Sequence, residues 1–422
     1  MSSCHTTLNN GIQLITEWMP SVETVSLGVW LNHGSRDEAA PENGMFHFIE
    51  HTLFKGTPSR TARDIAEAVD GIGGSLDAYT SREETSYSLK VRHKHLRPTL
   101  EILADMLNHP LFQQKELDRE REVILEEIKM EEDNPDDLAY ENSVINYWPD
   151  HPMGRPILGR AEQVTSFDSE QVRHFFQRHY QPNNLTVAAA GKVDHHELCQ
   201  WLEELFPRRV DAELQAPLQR TQPKSCPHQI YLRKPNLEQV SFYIHFEGVA
   251  YNDPSCEAVN LLSTLLGGSM SSRLFQKVRE DRGLAYSVGS FSTPGSDCGL
   301  LSFYGGCRPE KFDEVIGLFL EELKRVTQER VPERELRRAA EHQNGSLAMS
   351  LESTYGKASA HAREMMFLGK VFDLPSSMAA VDAVSTDQVL EAAQAILRDD
   401  CLGLYALGDL PASGPKRRWS LA

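Results

Sequence analysis

Apolar residues at Val25, Leu27, Val29 and Leu31 alternate with polar or small ones, and this period of two predicts a strand. Gly11 to Trp18 has the same character, and Met19-Pro20-Ser21 between the two runs predicts a hairpin turn. The next stretch, Asn43 to Gly56, is apolar at Met45, Phe46, Phe48, Ile49, Leu53 and Phe54, the pattern of a buried helix. A second helix is expected from about Thr61 to Val69, stopped by Gly71-Ile72-Gly73-Gly74, with Ser75–Thr80 beyond it. Thr85, Tyr87, Leu89 and Val91 mark a returning strand. Helical periodicity fills 96–107 and 114–146. A helix near Glu170–His179 and an apolar strand from Leu185 to Ala190, ending at Gly191, close this part of the chain.

Arg208 to Cys226 is polar and carries Pro217 and Pro223, the composition of a linker. After it the pattern begins again. Val25-Ser26-Leu27 matches Val240-Ser241-Phe242, 215 positions on, and Gln171-Val172, Leu185 and Gly191 match Gln388-Val389, Leu402 and Gly408, each 217 on. Glu116-Leu117 matches Glu335-Leu336 at 219. So small a drift means a duplicated unit with few insertions. The fold class expected is α+β, two homologous domains each with a mostly antiparallel β-sheet packed with several α-helices. Residues 1–210 make the first domain, 211–226 the linker and 227–422 the second.

The chain has 422 residues and a net charge of -18, which excludes nucleic acid as the main partner and suits a basic peptide. No apolar run reaches the roughly 18 residues of a membrane span. The start, Met1-Ser2-Ser3-Cys4-His5, lacks a signal-peptide pattern, so a cytoplasmic location is expected. Seven cysteines without close pairs read as reduced thiols.

Any metal therefore belongs to histidines. In the predicted helix His47 and His51 are four residues apart and project from one face, as two nitrogens meeting one Zn²⁺ at roughly 2.0–2.1 Å require. Glu50, three residues from His47, lies near the same face. Burying these groups without partners costs several kcal/mol, which coordination offsets. H-x-x-E-H is the inverted zinc-peptidase signature. At an offset of 215, His47, Glu50 and His51 fall on Leu262, Leu265 and Leu266, so the second half keeps the scaffold without the ligands, and one metal per chain follows.

A zinc peptidase needs a third protein ligand. The richest carboxylate region is Glu116–Glu131, most of it the solvated face of a helix. Glu120 and Glu127 are seven apart and share a face with Leu117 and Ile124, but physical reasoning does not choose between Glu126 and Glu127.

At this point the chain resembles the pitrilysin, insulinase and mitochondrial processing peptidase family, in its short two-domain bacterial form. The resemblance rests on His47-x-x-Glu50-His51 with a glutamate 76 positions beyond, in Val-Ile-Leu-Glu-Glu-Ile. It extends through Ala78-Tyr79-Thr80-Ser81-Arg82-Glu83, His151-Pro152-Met153-Gly154-Arg155-Pro156-Ile157-Leu158-Gly159, Gly267–Phe275 and Arg279–Tyr286. It implies a zinc endopeptidase in which His47, His51 and Glu127 hold Zn²⁺, Glu50 is the general base and Glu120 orients a ligand. Arg279 and Tyr286 match the family's pair that contacts substrate and steadies the tetrahedral intermediate. The strand around Leu76, Asp77, Ala78 and Tyr79 is then an open edge to which a peptide adds. Asp137 and Glu141, i and i+4, match the acidic pair that reads a basic side chain in mitochondrial members.

In the long family members four such domains close around the substrate. Two domains carrying both motifs imply a homodimer in which Arg279 and Tyr286 act across the subunit interface. Two other readings compete: a scaffold or assembly subunit, and a catalytic subunit that needs a different partner chain. The retained motif residues favour the peptidase.

Overall fold

The computed structural model describes residues 3–207, 220–410 and 419–421. Eleven strands form two sheets among the described residues. The first contains β1 (Ser3–Thr7), β2 (Gln13–Trp18), β3 (Thr24–Leu31), β4 (Ser75–Thr80), β5 (Thr85–Arg92) and β6 (Leu185–Gly191), in the order β1-β2-β6-β3-β5-β4. The second contains β7 (His228–Arg233), β8 (Val240–Gly248), β9 (Ala285–Pro294), β10 (Gly299–Cys307) and β11 (Gly403–Gly408), in the order β7-β11-β8-β10-β9. Each sheet is antiparallel except for one parallel pair, β2 with β6 and β7 with β11. The α+β class and the duplication are both present.

The expected hairpin is not. β2 and β3 do not pair; β6 lies between them, parallel to β2 and antiparallel to β3. The reason lies in β6, Leu-Thr-Val-Ala-Ala-Ala-Gly, which is buried along its whole length. A strand apolar on both faces belongs at the centre of a sheet, not at its edge. The long helical pattern of 114–146 is also two helices, α4 (Gln114–Asp133) and α5 (Pro135–Tyr147). Pro135 lacks the N–H that would continue α4, and the Asn134 side chain caps α5 by accepting the Asp136 N–H at 3.1 Å.

The chain divides into two compact units, and their membership differs from the expected boundaries of 1–210 and 227–422. Unit 1 gathers Met1–Ile128, Arg155–Arg220 and Ala348–Phe372; unit 2 gathers Lys129–Gly154, Thr221–Leu347 and Asp373–Ala422. Each takes one helix from the other half of the sequence. In unit 1 the helix Thr354–Leu368 packs Ala358, Ala362 and Met365 on Ile15, Trp30, Ala188 and Ala190. Small alanines on β6 let that helix approach closely. Glu17 on β2 receives Lys357 and His361 from the same helix. In unit 2, Ala139 of α5 packs on Tyr405 and Leu407 of β11, and Ser143 meets the buried His245 of β8 at 2.6 Å. Both sheets have two apolar faces to cover, and neighbouring sequence supplies helices for only one of them. Of the expected linker, 211–219 lies outside the described residues, while Arg220 pairs with Asp37 at 2.8 Å and Glu83 at 3.1 Å.

The other face of the first sheet carries α1 (Met45–Leu53), α2 (Ala62–Asp70) and α3 (Leu96–Asn108). Val25, Leu27, Val29 and Leu31 of β3 pack there with Phe46, Phe48, Ile49, Leu100 and Leu103. No described helix is long and apolar enough to cross a membrane. All seven cysteines are free thiols.

Candidate metal centre

α1 begins at Gly44, whose φ of +95° is a left-handed conformation open to glycine. A Cβ there would meet Leu158 O at 2.6 Å. With no side chain on its N-cap residue, the helix is capped from a distance. Glu38 accepts the Phe46 N–H through Oε1 at 2.8 Å, and through Oε2 the Gly44 N–H at 2.8 Å and Asn43 Nδ2 at 3.0 Å. Burial pushes the Glu38 carboxyl up to about 8, while these three donors favour its charged form.

One turn into α1, His47 Nε2 lies 3.7 Å from Glu127 Oε2, and His51 Nε2 lies 3.6 Å from the same oxygen. Ligand atoms of these three residues all fall within 4.8 Å of one another. Two ligands about 2.1 Å from a tetrahedral zinc ion stand about 3.4 Å apart, so the spacing fits such an ion. The donor set, two imidazoles and a carboxylate, fits as well. Burial, and then the neighbouring His51, depress the pKa of His47 to about 3, keeping its imidazole neutral as a ligand must be. His47 Nδ1 is buried without a hydrogen-bond partner. Of the two glutamates that helix spacing left open, Glu127, the one the resemblance implies, faces the histidines; it is 43% exposed, which leaves the centre accessible on that side.

Glu120 is placed beside His51, its Oε2 3.4 Å from Nδ1, while its other oxygen takes Lys55 Nζ at 2.6 Å. Burial works against the Glu120 charge, but the bonds to His51 and Lys55 outweigh it and lower its pKa. For His51 burial is likewise overcome, by Glu120, Glu127 and Glu50, and the pKa rises. Burial raises the pKa of Glu50, opposed by the Thr80 hydroxyl, which donates to Glu50 Oε2 at 2.5 Å. A buried carboxylate beside a three-ligand centre is suited to taking a proton from water.

β4 is the free edge of its sheet, paired only with β5. Leu76, Ala78 and Thr80 point to the α1 face; Tyr79 points to the other, accepting from Trp30 at 3.2 Å and donating to Glu84 at 2.5 Å. The Tyr79 side chain is thus committed to the fold, whereas Asp77, on the same face by alternation, is exposed. What the edge offers a peptide is backbone. Beside it a cavity of about 330 Å³ is lined by Phe54, Ile65, Ala66, Val69, Leu76 and Asp77.

The remaining expected residues belong to unit 2. Arg279 lies over the Tyr286 ring, 4.8 Å from its centroid, and Tyr286 is 77% exposed. The Phe275 ring centroid lies 4.7 Å from the same guanidinium. Phe275–Glu280 is a π-helical turn, which brings residues four apart nearly into line. On α5 Asp136 accepts from Ser241 at 2.5 Å and Asp137 from Asn134 at 2.6 Å, and both residues are exposed. Glu141 is half-buried. Leu262, Leu265 and Leu266 are core residues of the helix Cys256–Leu266. Sequence reasoning missed Thr80, Lys55, Phe275 and Glu38. Lys55 had a signal, four residues after His51; the others are joined to their partners only by the fold.

The chain is similar to known proteins along most of its length. Residues 13–161 match the model "Insulinase (Peptidase family M16)", and 166–342 match "Peptidase M16 inactive domain", the part that carries the core leucines. An uncharacterized zinc protease of Bacillus subtilis, YmxG, is 35% identical over 97% of this chain and 98% of its own length. A zinc protease of Streptomyces coelicolor, also named as uncharacterized, is 36% identical over 93% and 86%. A Helicobacter pylori protease shares the fold with a TM-score of 0.88 at 21% identity, covering 96% of this chain and 99% of that one.

Proposed function

Because this chain belongs to the insulinase family of M16 peptidases, we propose that it is a zinc-dependent endopeptidase acting on peptides or unstructured polypeptide segments. The observation that carries the reading is the convergence of His47 Nε2 and His51 Nε2 on one oxygen of Glu127. These three residues hold one zinc ion per chain, and the ion supplies Lewis acidity towards a carbonyl and a lowered pKa for water. Glu50 is the general base. Thr80 fixes Oε2, and Oε1 takes the proton of the attacking water and passes it to the leaving amine. Glu120, braced by Lys55, sets the orientation of the His51 ring.

The substrate adds to β4 as an extra strand, with Leu76 to Tyr79 supplying main-chain bonds, and an apolar side chain fills the cavity beside Phe54. Asp137 and Glu141 bias the site towards basic side chains. In a homodimer the partner subunit's Arg279 and Tyr286 donate to the developing oxyanion. Mixed dimers of Glu50→Gln and Tyr286→Phe chains then recover activity that neither variant has alone; none recovered, with subunit exchange proven, refutes that assembly.

The deciding measurement is zinc content together with cleavage of a quenched basic peptide, native against Glu50→Gln. Expected are about one zinc per chain in both and cleavage by the native protein alone. A native protein without metal overturns the reading.

A further inference from the structure

The α1 helix has to be held still, and the side chains that hold its start are not its own. Its N-cap is a glycine without a side-chain acceptor, and two of its first N–H groups, those of Gly44 and Phe46, are taken by Glu38. Asn43 ties the same carboxylate to a second segment, donating to Glu38 Oε2 and to Pro156 O, both at 3.0 Å. Arg155 completes the loop by donating to Glu38 O at 2.9 Å. The contact is tight: a Cβ on Gly159 would stand 2.4 Å from Asn43 O. The run Arg155-Pro156-Ile157-Leu158-Gly159, which no step of the proposed reaction uses, is one jaw of a buckle. Glu38 is its pin.

We propose that Glu38 is a positioning residue for the metal centre, clamping the N-terminus of α1 against Arg155–Gly159 and so setting the rotation and height of His47 and Glu50. His47 follows directly on Phe46, whose N–H Glu38 holds. A ring nitrogen stands about 6 Å from the helix axis, so a 10° rotation of α1 moves it by about 1 Å. Metal and catalytic groups tolerate about 0.5 Å. Nine residues of helix supply little rigidity of their own. The clamp supplies it.

The inference rests on the zinc reading above, and its test separates the two. The zinc dissociation constant of the full-length apoprotein is measured by competition with a chromophoric chelator, for native, Glu38→Gln and Asn43→Ala, with circular dichroism as the check on folding. In Glu38→Gln an amide N–H replaces one acceptor and faces a donor. The expected result is zinc bound 10–100-fold more weakly, as for other residues that orient ligands, with a lower kcat at saturating zinc and an unchanged KM. Asn43→Ala, which removes one strut, weakens zinc several-fold. A folded Glu38→Gln with a dissociation constant within threefold of native overturns the proposal. If Glu38→Gln does not fold, Asn43→Ala decides by the same threshold. Native protein that binds no zinc refutes the zinc reading itself.

Discussion

Thr80→Val removes one hydroxyl and keeps the shape of the side chain. In the native protein that hydroxyl donates to Glu50 Oε2 at 2.5 Å, inside a site whose burial already disfavours the charged carboxylate. A hydrogen bond to a charged acceptor contributes about 1.5–3 kcal/mol, and one pH unit of titration corresponds to about 1.4 kcal/mol. The bond favours ionised Glu50, so its loss makes the base harder to ionise. The acid limb of kcat should therefore move to higher pH by about one unit or more, with the rate well above the limb changing only a few-fold. The assay is the pH profile of kcat on a quenched peptide, with zinc content shown equal in each variant. Thr80→Ser, which keeps the donor, should restore the native limb. A folded, zinc-loaded Thr80→Val with its limb within about 0.3 units of native refutes the reasoning, because the hydroxyl would then not act on the base.

Glu17→Gln tests the borrowed helix of unit 1. The bond from His361 outweighs burial and, with Lys357, holds the Glu17 carboxyl at about 2, from 4.5. That is worth up to about 3 kcal/mol, and about 2 kcal/mol with solvent screening. A carboxyl depressed in the folded state stabilises above pH 4.5 and loses that contribution as pH falls. Urea unfolding should thus show native exceeding Glu17→Gln by about 2 kcal/mol at pH 7, a gap that narrows below pH 4.5; a constant gap argues against an ionic origin. Burial likewise lowers His33 to about 4 and His179 to about 3. Below pH 6.5 the unfolded chain binds protons these buried rings refuse, so stability falls by about 1.4 kcal/mol per pH unit for each ring until about pH 4. His179→Gln should remove one ring's share, about 1.4 kcal/mol per pH unit, from the slope of urea stability measured from pH 7 to 4.5.

Periodicity and spacing in the chain determined a good deal. Alternation located β3 and β5, the repeat at an offset near 215 carried the pattern to β8 and announced two like units, and H-x-x-E-H marked α1 as the helix of the proposed metal centre. These signals are local, because helix and strand periods repeat within a few residues. Three further decisions came from the tertiary structure. β6 entered between β2 and β3 because a strand apolar on both faces is stable only in the sheet interior. α5 and the helix Thr354–Leu368 changed units because each sheet has a second apolar face to cover, and burial rewards any helix that reaches it. Thr80, Lys55 and Glu38 were joined to Glu50, Glu120 and Phe46 by packing alone. A hydrogen bond depends on distances of a few tenths of an ångström, and residue order fixes such distances only within one turn or one strand.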